Sequence, residues 1–217
     1  MIIEILFSST ASHVNVEARY HAEPAKPSGI FAQSCPHTLR KGIQKAGFHN
    51  SYLSKLSEEG YLVRLKAGLY ISAESQTVSG FYEIQLALPN AVICLASALV
   101  FCEISTYEPS SVHIAIPRDE RILPPDFPPT RRFSFGNTRY ELGVKREQIE
   151  SHSIQIYDRE KTICDVISYR RVLGQDITNE AVRNYLATPG RNLDLLLEYS
   201  RLLRVEGPVE QHLRLMT

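Results

Sequence analysis

The chain has 217 residues with 24 basic and 24 acidic side chains, so its formal net charge is zero. This balance argues against nonspecific nucleic-acid binding by the whole chain, because such affinity comes from neutralising phosphates. Hydrophobic residues make up 43% and charged residues 22%, which excludes general disorder. There is no run of about 18 apolar residues to span a bilayer, and "MIIEILFSST" is too short for a signal peptide, so we expect a cytoplasmic protein without membrane contact.

Four cysteines are scattered along the chain, without a CxxC pair or the spacing of a zinc site. Cys35 and His37 are two residues apart in the sequence, but two ligands do not complete a tetrahedral site. The sequence therefore predicts neither a metal nor a cofactor.

Two segments are locally basic. Between Thr38 and Tyr70, six basic residues stand against two acidic ones, and between Arg131 and Arg146 five stand against one. Charge distribution thus indicates two candidate surfaces on an otherwise balanced protein.

Residues 1–29 form a poorly defined N-terminal segment, and residues 30–73 predict a winged helix-turn-helix. In "HTLRKGIQKAGF", Thr38 is the expected N-cap of a first helix and Gly47 closes the turn. In "HNSYLSKLSEEG", Asn50 or Ser51 is the expected N-cap of a second helix, and Gly60 its left-handed C′ residue. Two short helices joined by a tight turn are the outline of a helix-turn-helix.

The next segment, "YLVRLKAGLYIS", predicts a β-hairpin. Apolar residues alternate on both sides of Lys66-Ala67-Gly68, and Gly68 supplies the positive φ of a tight bend. A hairpin directly after the second helix is a wing. Arg64 and Lys66 are two residues apart, so we expect them to share a face of the strand.

Residues 74–217 predict a mixed α/β domain ending in a run of short helices, which makes the fold class α+β. "FYEIQLAL" predicts a helix, and "AVICL", "SALVFCEIS" and "SVHIAIP" predict strand, helix and strand, a βαβ-like layer. "RILPPDFPPT" predicts an extended loop, because its four prolines block helices and ladders. "RRFSF" and "TRYELG" predict a second hairpin, and "HSIQIY" a further strand. From Asp158 onward the sequence predicts helices. Asp158 is the expected N-cap of the first of them, "DREKTICDVISYRRVL". The predicted buried face of that helix consists of Ile163, Val166, Ile167 and Val172.

Four segments in order, "LSKLSEEGYLVRLKAGLYI", "AVICLASALVFCEIS", "VHIAIPR" and "IYDREKTICDVI", resemble the AbiEi antitoxin family of bacterial abortive-infection (type IV) toxin–antitoxin systems. The resemblance runs from about residue 38 to 205. It implies a transcriptional autoregulator whose winged domain binds operator DNA upstream of its own operon. It also implies a C-terminal antitoxin domain that antagonises a co-encoded nucleotidyltransferase-type toxin, in many descriptions without a stable direct complex. A symmetric operator would call for two copies side by side, a weak homodimer on DNA.

The predicted DNA-binding residues cluster on the second helix and the wing; they are Thr38, His49, Asn50, Ser51, Tyr52, Lys55, Arg64 and Lys66. Asn50 is the preferred base reader, because an amide side chain pairs with adenine in the major groove. The alternative is an ordinary solvated helix face. A second basic surface is predicted from Arg131, Arg132 and Arg139, against the alternative of solubility and cross-strand pairing with Glu141.

An enzymatic interpretation of "DREKTICDVISYRRV" is disfavoured. Metal-dependent cleavage needs carboxylates converging on a divalent ion, and no such second acid cluster is visible. Cys164 falls near a buried helix face, where packing is favoured over reactivity. No catalytic residue is predicted, and the alternatives to an antitoxin are a protein-interaction module or an orphan winged-helix regulator with no toxin partner.

Overall fold

The computed structural model describes residues 37–39, 50–76, 79–149 and 152–216. The chain divides into two compact units, Met1–Gln76 and Thr77–Thr217, whereas the sequence placed the division between residues 73 and 74. Over the described ranges the protein contains nine α-helices and two β-sheets. The predicted α+β class is confirmed. None of the helices in these ranges is long and apolar enough to cross a membrane.

In its described residues, 37–39 and 50–76, the N-terminal unit has one α-helix and a small antiparallel sheet. Its elements are β1 (His37–Leu39), α1 (Asn50–Glu58), β2 (Leu62–Lys66), β3 (Leu69–Ser72) and a 3-10 turn (Ala73–Ser75). The strands lie in the order β1-β3-β2, so β3 is central and the strand that precedes α1 pairs with the last one.

Thr38 lies in β1, directly opposite Tyr70 of β3, so its prediction as a helix N-cap is wrong. The backbone N–H and C=O groups of residues 37–39 find hydrogen-bond partners along β3 when this segment is extended. Pairing with β3 therefore replaces the start of a helix here. The rest of the predicted first helix, including Gly47, lies outside the described residues.

Helix α1 ends as its sequence predicts. Tyr61 N donates to Leu56 O at 2.9 Å, and Gly60 N donates to Ser57 O at 3.2 Å. These two bonds form a Schellman motif, and Gly60 has φ +79°, the left-handed conformation that a glycine adopts at little cost.

Three leucines form one buried cluster of this unit: Leu53 and Leu56 of α1 and Leu62 of β2. Leu53 and Leu56 are three apart, which places both on one helix face. Tyr52 and Tyr70 pack against the same leucines and are half-buried. Tyr52, one of the predicted DNA-binding residues, therefore contributes to this packing.

The hairpin of β2 and β3 is confirmed, with Gly68 at φ +81° in its bend. Its register is interrupted, because Arg64 lies opposite Tyr70 and Lys66 opposite Leu69. Leu65 is therefore an extra residue on β2, a β-bulge that the sequence analysis missed.

The C-terminal unit is a mixed five-stranded sheet with helices, in the strand order β6-β5-β4-β8-β7. Its strands are β4 (Val92–Ile93), β5 (Val112–Pro117), β6 (Thr130–Phe135), β7 (Val144–Ile149) and β8 (His152–Tyr157). Its helices are α2 (Phe81–Ala87), α3 (Leu95–Phe101), α4 (Asn137–Glu141), α5 (Arg159–Ser168), α6 (Arg170–Leu173), α7 (Gln175–Ala187), α8 (Leu193–Leu202) and α9 (Glu206–Met216).

The predicted second hairpin is wrong. Strand β6 pairs in parallel with β5, and "NTRYE" forms the short helix α4 instead of a returning strand. Strand β4 pairs antiparallel with β5, so strand, helix and strand do not make a parallel βαβ unit. Strand β7 was not predicted. Helix α3 begins at Leu95 rather than at Ser97, whose Oγ accepts a hydrogen bond from His113 N at 2.9 Å.

Helix α5 lies at the centre of this unit and packs against α3, α7, α8 and α9. Ile163, Val166 and Ile167 are fully buried, as predicted, but Val172 is 46% exposed and the prediction for it is wrong. The reason is that α5 ends at Ser168 and a separate helix, α6, begins at Arg170, so the periodicity of α5 does not extend to Val172.

Candidate functional site

Helix α1 presents a polar side outside its leucine face. The helix begins at Asn50, so Asn50 and Ser51 occupy its first turn, and His49 lies outside the described residues. Ser51 and Lys55 are exposed. The first-turn amides of a helix have no partner within the helix, and they suit contacts with phosphate oxygens. The start of α1 therefore combines short polar residues with helix-terminal amides, the groups that suit an anionic polymer.

Lys55 has a partner within its own helix. Its Nζ is 3.8 Å from Glu59 Oε1, an i,i+4 ion pair whose lysine side chain is 57% exposed. Such exposed pairs contribute about 0.3–0.5 kcal/mol, so an approaching phosphate could replace Glu59 at little cost. Lys55 remains a candidate contact at the end of α1 away from Asn50.

Arg64 and Lys66 lie on the hairpin, Arg64 exposed and Lys66 half-buried. The sequence placed them on one face because they are two residues apart. The bulge at Leu65 interrupts that alternation, so the shared face is wrong.

The polar residues at the start of α5 hold the C-terminal unit together. Asp158 caps the helix, as predicted: its Oδ1 accepts from Lys161 N at 2.8 Å. Its Oδ2 accepts from Tyr199 OH of α8 at 3.1 Å. Glu160 Oε1 accepts from Tyr185 OH of α7 at 3.2 Å and from Asn192 N, at the N-cap of α8, at 3.1 Å. Two carboxylates thus join α7 and α8 to α5.

One turn further on, α5 carries a buried ion pair. Lys161 Nζ bonds Asp165 Oδ2, and neither side chain is exposed. Arg139 Nη1 of α4 donates to the other oxygen, Asp165 Oδ1, at 2.5 Å, and the Arg139 side chain is 20% exposed. We call Arg139, Lys161 and Asp165 the α5 charge cluster.

Aromatic rings surround the two cations of the α5 charge cluster. Lys161 Nζ lies 4.0 Å from the ring centroid of Tyr157, and Arg139 Cζ lies 5.7 Å from that of Phe135. Ring faces attract cations, and the attraction grows when water is excluded. Burial lowers the pKa of Lys161 and raises the pKa of Asp165, and the attraction between the opposite charges opposes both shifts.

The thiols of this unit are not activated. Burial raises the pKa of Cys164 to about 12, with Asp165 adding to the shift. Burial also raises the pKa of the half-buried Cys102 to about 11. Because the thiolate is the nucleophilic form, both side chains act as small apolar groups at neutral pH.

The carboxylates of "DREKTICD" do not converge on a common point. Asp158, Glu160 and Asp165 each accept hydrogen bonds from different elements, and all three residues are buried. Within the described ranges, no group of three or more His, Cys, Asp or Glu residues could hold a metal ion. The geometry of this segment supports a structural role.

The three arginines of the predicted second basic surface are separated. Arg131 and Arg132 are exposed neighbours on β6, so their side chains leave opposite sides of the strand. Arg131 Cζ lies 5.4 Å from the Phe133 ring centroid, and Arg132 Nη1 donates to Ile122 O at 2.7 Å. Arg139 reaches the buried Asp165, and the predicted cross-strand pairing with Glu141 is wrong because α4 replaces the strand.

Sequence reasoning missed the α5 charge cluster. The sequence analysis predicts no role for Lys161. Lys161 and Asp165 are four residues apart, and the apolar residues Ile163 and Cys164 lie between them. That spacing places a lysine and an aspartate side by side on one helix face. The partner Arg139, 26 residues away from Asp165, has no local signal.

No protein-family model and no curated protein sequence matches the chain. Among solved structures, it is similar to the crystal structure of the RV2827C protein from Mycobacterium tuberculosis, with 15% identity and a TM-score of 0.48. The match covers 87% of this chain and 78% of that chain. A likeness at this level carries no conclusion about function.

Proposed function

We propose that this protein is a DNA-binding transcriptional autoregulator and antitoxin of the AbiEi type. Its N-terminal unit would be a winged helix-turn-helix that binds operator DNA in front of its own operon. Its C-terminal unit would counteract a co-encoded nucleotidyltransferase-type toxin. The observation that carries the DNA-binding part is the arrangement of α1 with the β1-β3-β2 sheet.

In that arrangement a short helix leads through a glycine-closed turn into an antiparallel hairpin, and β1 adds to the free side of β3. Winged-helix domains have this order, with the helix before the hairpin acting as the recognition helix. Leu53 and Leu56 of α1 pack with Leu62 of β2, and the polar residues Asn50 and Ser51 precede them in its first turn. Recognition helices use their N-terminal residues on base edges, and Asn50 is the candidate reader of adenine.

Charge supports a local DNA contact rather than a general one. The chain as a whole is neutral, and six basic residues between Thr38 and Tyr70 stand against two acidic ones. Phosphate contacts fix position and register, and a few base contacts then determine sequence. In a small basic unit with one polar helix turn, the basic side chains can contact phosphates and the polar turn can contact bases.

The antitoxin part of the proposal rests on the sequence resemblance over "AVICLASALVFCEIS", "VHIAIPR" and "IYDREKTICDVI". The last of these segments forms β8 and the start of α5, where its polar residues join neighbouring helices. A stably assembled C-terminal unit is a requirement for any partner-directed activity of that unit.

The DNA-binding part is tested by fluorescence anisotropy with a labelled duplex from the DNA upstream of the gene. We expect tight binding at low salt that weakens linearly on a log–log plot as salt rises. Asn50→Ala should lower the preference for that duplex over a scrambled one, because each good base pairing is worth about 1–3 kcal/mol. Arg201→Ala, an exposed arginine of the C-terminal unit, is the matched surface control. Absence of binding at low salt would refute DNA recognition.

The antitoxin part is tested by co-expressing the full chain with a neighbouring nucleotidyltransferase-type gene. We expect the chain to restore growth that the toxin alone suppresses. DNA binding without rescue would identify an orphan regulator, and rescue without DNA binding would identify an antitoxin that does not regulate its own operon.

A further inference from the structure

The two basic residues of the hairpin lie on opposite faces of the three-stranded sheet. Arg64 is directly opposite Tyr70, and Lys66 is directly opposite Leu69. Residues directly opposite each other in an antiparallel pair share a face, and successive residues of one strand alternate between faces. Because Leu69 and Tyr70 are successive, Arg64 and Lys66 must leave the sheet on different sides.

Both faces of the sheet hold buried side chains, with Leu62 on one face and Leu69 on the other. Leu62 and Leu65 are three residues apart on β2, and both are buried, at 3% and 0% exposure. A regular strand would direct them to opposite faces and would direct Arg64 and Lys66 to the same face. The extra residue at Leu65 changes the alternation after Arg64, so only Lys66 is moved to the other face.

The face that carries Arg64 is the face on which α1 packs. Leu62 is two residues before Arg64 in the regular part of β2, so the two share a face. Leu62 packs with Leu53 and Leu56 of α1. Tyr70, directly opposite Arg64, packs against the same leucines.

Tyr52, in the first turn of α1, packs against the same leucines. Arg64 is exposed beyond this packing, on the side of the sheet where α1 lies. Lys66 is half-buried on the other side, opposite the buried Leu69. A DNA backbone that follows α1 would therefore pass Arg64 and not Lys66.

Resting on the proposed DNA-binding function, we propose that Arg64 is the phosphate contact of the wing and that Lys66 makes no DNA contact. The guanidinium of Arg64 can hold two oxygens of one phosphate in a fork, which fixes the hairpin relative to α1. The wing then acts as a one-sided clamp rather than as a basic tip.

The test compares Arg64→Ala with Lys66→Ala in the full chain. The two variants remove one positive charge each, two residues apart in one hairpin, so any general effect of charge is matched. Anisotropy titrations with the upstream duplex are run over a series of salt concentrations. For Arg64→Ala we expect about tenfold weaker binding and a salt slope smaller by about 1, the loss of one phosphate contact. For Lys66→Ala we expect a Kd within about twofold of the unaltered protein and an unchanged slope.

Arg64→Lys, which keeps the charge without the fork, should bind between Arg64→Ala and the unaltered protein. A urea unfolding midpoint for each variant separates lost contacts from lost folding, and Arg64→Lys replaces Arg64→Ala if the latter unfolds. Equal losses for the two alanine variants, or a larger loss for Lys66→Ala, would overturn the assignment to Arg64. If the unaltered protein does not bind the duplex, the proposed function itself fails.

Discussion

Lys161 and Asp165 stand one turn apart on α5 and form an ion pair to which solvent has no access. Arg139 of α4 bonds the second oxygen of the same carboxylate. Asp165 is thus the shared anion of two cations, and this relationship links α4 to the central helix of the C-terminal unit.

The shared role of Asp165 predicts an unequal response to substitution. Asp165→Ala should lower the free energy of unfolding by about 3–5 kcal/mol, because it leaves the buried Lys161 and the mostly buried Arg139 without a counter-charge. Lys161→Met should cost less, since Arg139 still pairs with Asp165. Lys55→Ala, at the exposed pair with Glu59, is the control and should change stability by less than about 1 kcal/mol. Urea unfolding monitored by circular dichroism measures all three, and equal losses for Asp165→Ala and Lys55→Ala would contradict the role of the cluster.

A glycine behind the cluster should not tolerate a side chain. Gly143 has φ +70°, and a Cβ there would lie 2.7 Å from Lys161 Cβ and 3.1 Å from Asp158 Oδ2. Gly190 has φ +76°, with no atom within 4 Å of an added Cβ. Alanine at either site carries the left-handed penalty of about 1–2 kcal/mol, so the difference between Gly143→Ala and Gly190→Ala isolates the steric clash.

We expect Gly143→Ala to be the more destabilising of the two by at least about 1 kcal/mol, since overpacking typically costs about 1–3 kcal/mol. Thermal unfolding of the two variants under the same conditions gives the comparison. Equal shifts in Tm would show that the backbone beside Lys161 moves aside without cost.

His113 of β5 should make stability depend on pH. Its side chain is 3% exposed, and burial lowers its pKa from 6.5 to about 4, with Arg131 adding to the shift. The unfolded chain takes up a proton as pH falls through 6.5, whereas the folded chain does not until about pH 4. The corresponding stability is fully present above pH 6.5 and is lost as pH falls toward 4, by about 3 kcal/mol in total.

The measurement is urea unfolding at several pH values between 7.5 and 4.5, for the unaltered protein and for His113→Gln. Other carboxyl groups titrate in both proteins, so the informative quantity is the difference between the two curves. That difference should shrink as pH falls, because only the unaltered protein loses the histidine contribution. Parallel curves would mean that His113 accepts a proton in the folded state.

Two helix N-caps of this unit should differ in importance. Asp158 caps α5 and also accepts from Tyr199, whereas Asn192 caps α8 through Leu195 N at 3.0 Å. Loss of a cap costs about 1 kcal/mol. Asp158→Ala should cost about 1 kcal/mol more than Asn192→Ala, because it also leaves the Tyr199 hydroxyl without its partner. Tyr199→Phe supplies the second check. In a protein that already carries Tyr199→Phe, Asp158→Ala should cost nearly the same as Asn192→Ala, because no hydroxyl is left without its partner.

Local features of the chain were predictable where the cause is local. The glycine at the end of α1, the bend at Gly68, the Asp158 cap and the leucine positions follow from turn chemistry and from periodicity, and the structure has them in place. The candidate DNA-binding helix was recognisable for the same reason, because a polar first turn and an inward leucine face are both written in nine consecutive residues.

Features that depend on distant partners were not predictable from these patterns. Strand β6 pairs with β5 in parallel, and "NTRYE" turns into a helix whose arginine meets Asp165. Thr38 joins β3 instead of capping a helix. Each outcome depends on which backbone or charge lies nearby in space, and periodicity contains no such information.

The sequence by itself determined the α+β class, the order of most elements, and which residues of α1 and β2 are apolar. Tertiary structure decided the faces: a bulge at Leu65 of β2 separates Arg64 from Lys66. It also decided that "EKTICD" holds a buried ion pair shared with α4. The physical reason is the same in both cases, since exposing an apolar group or burying an unpaired charge is costly, and only the folded chain shows where burial occurs.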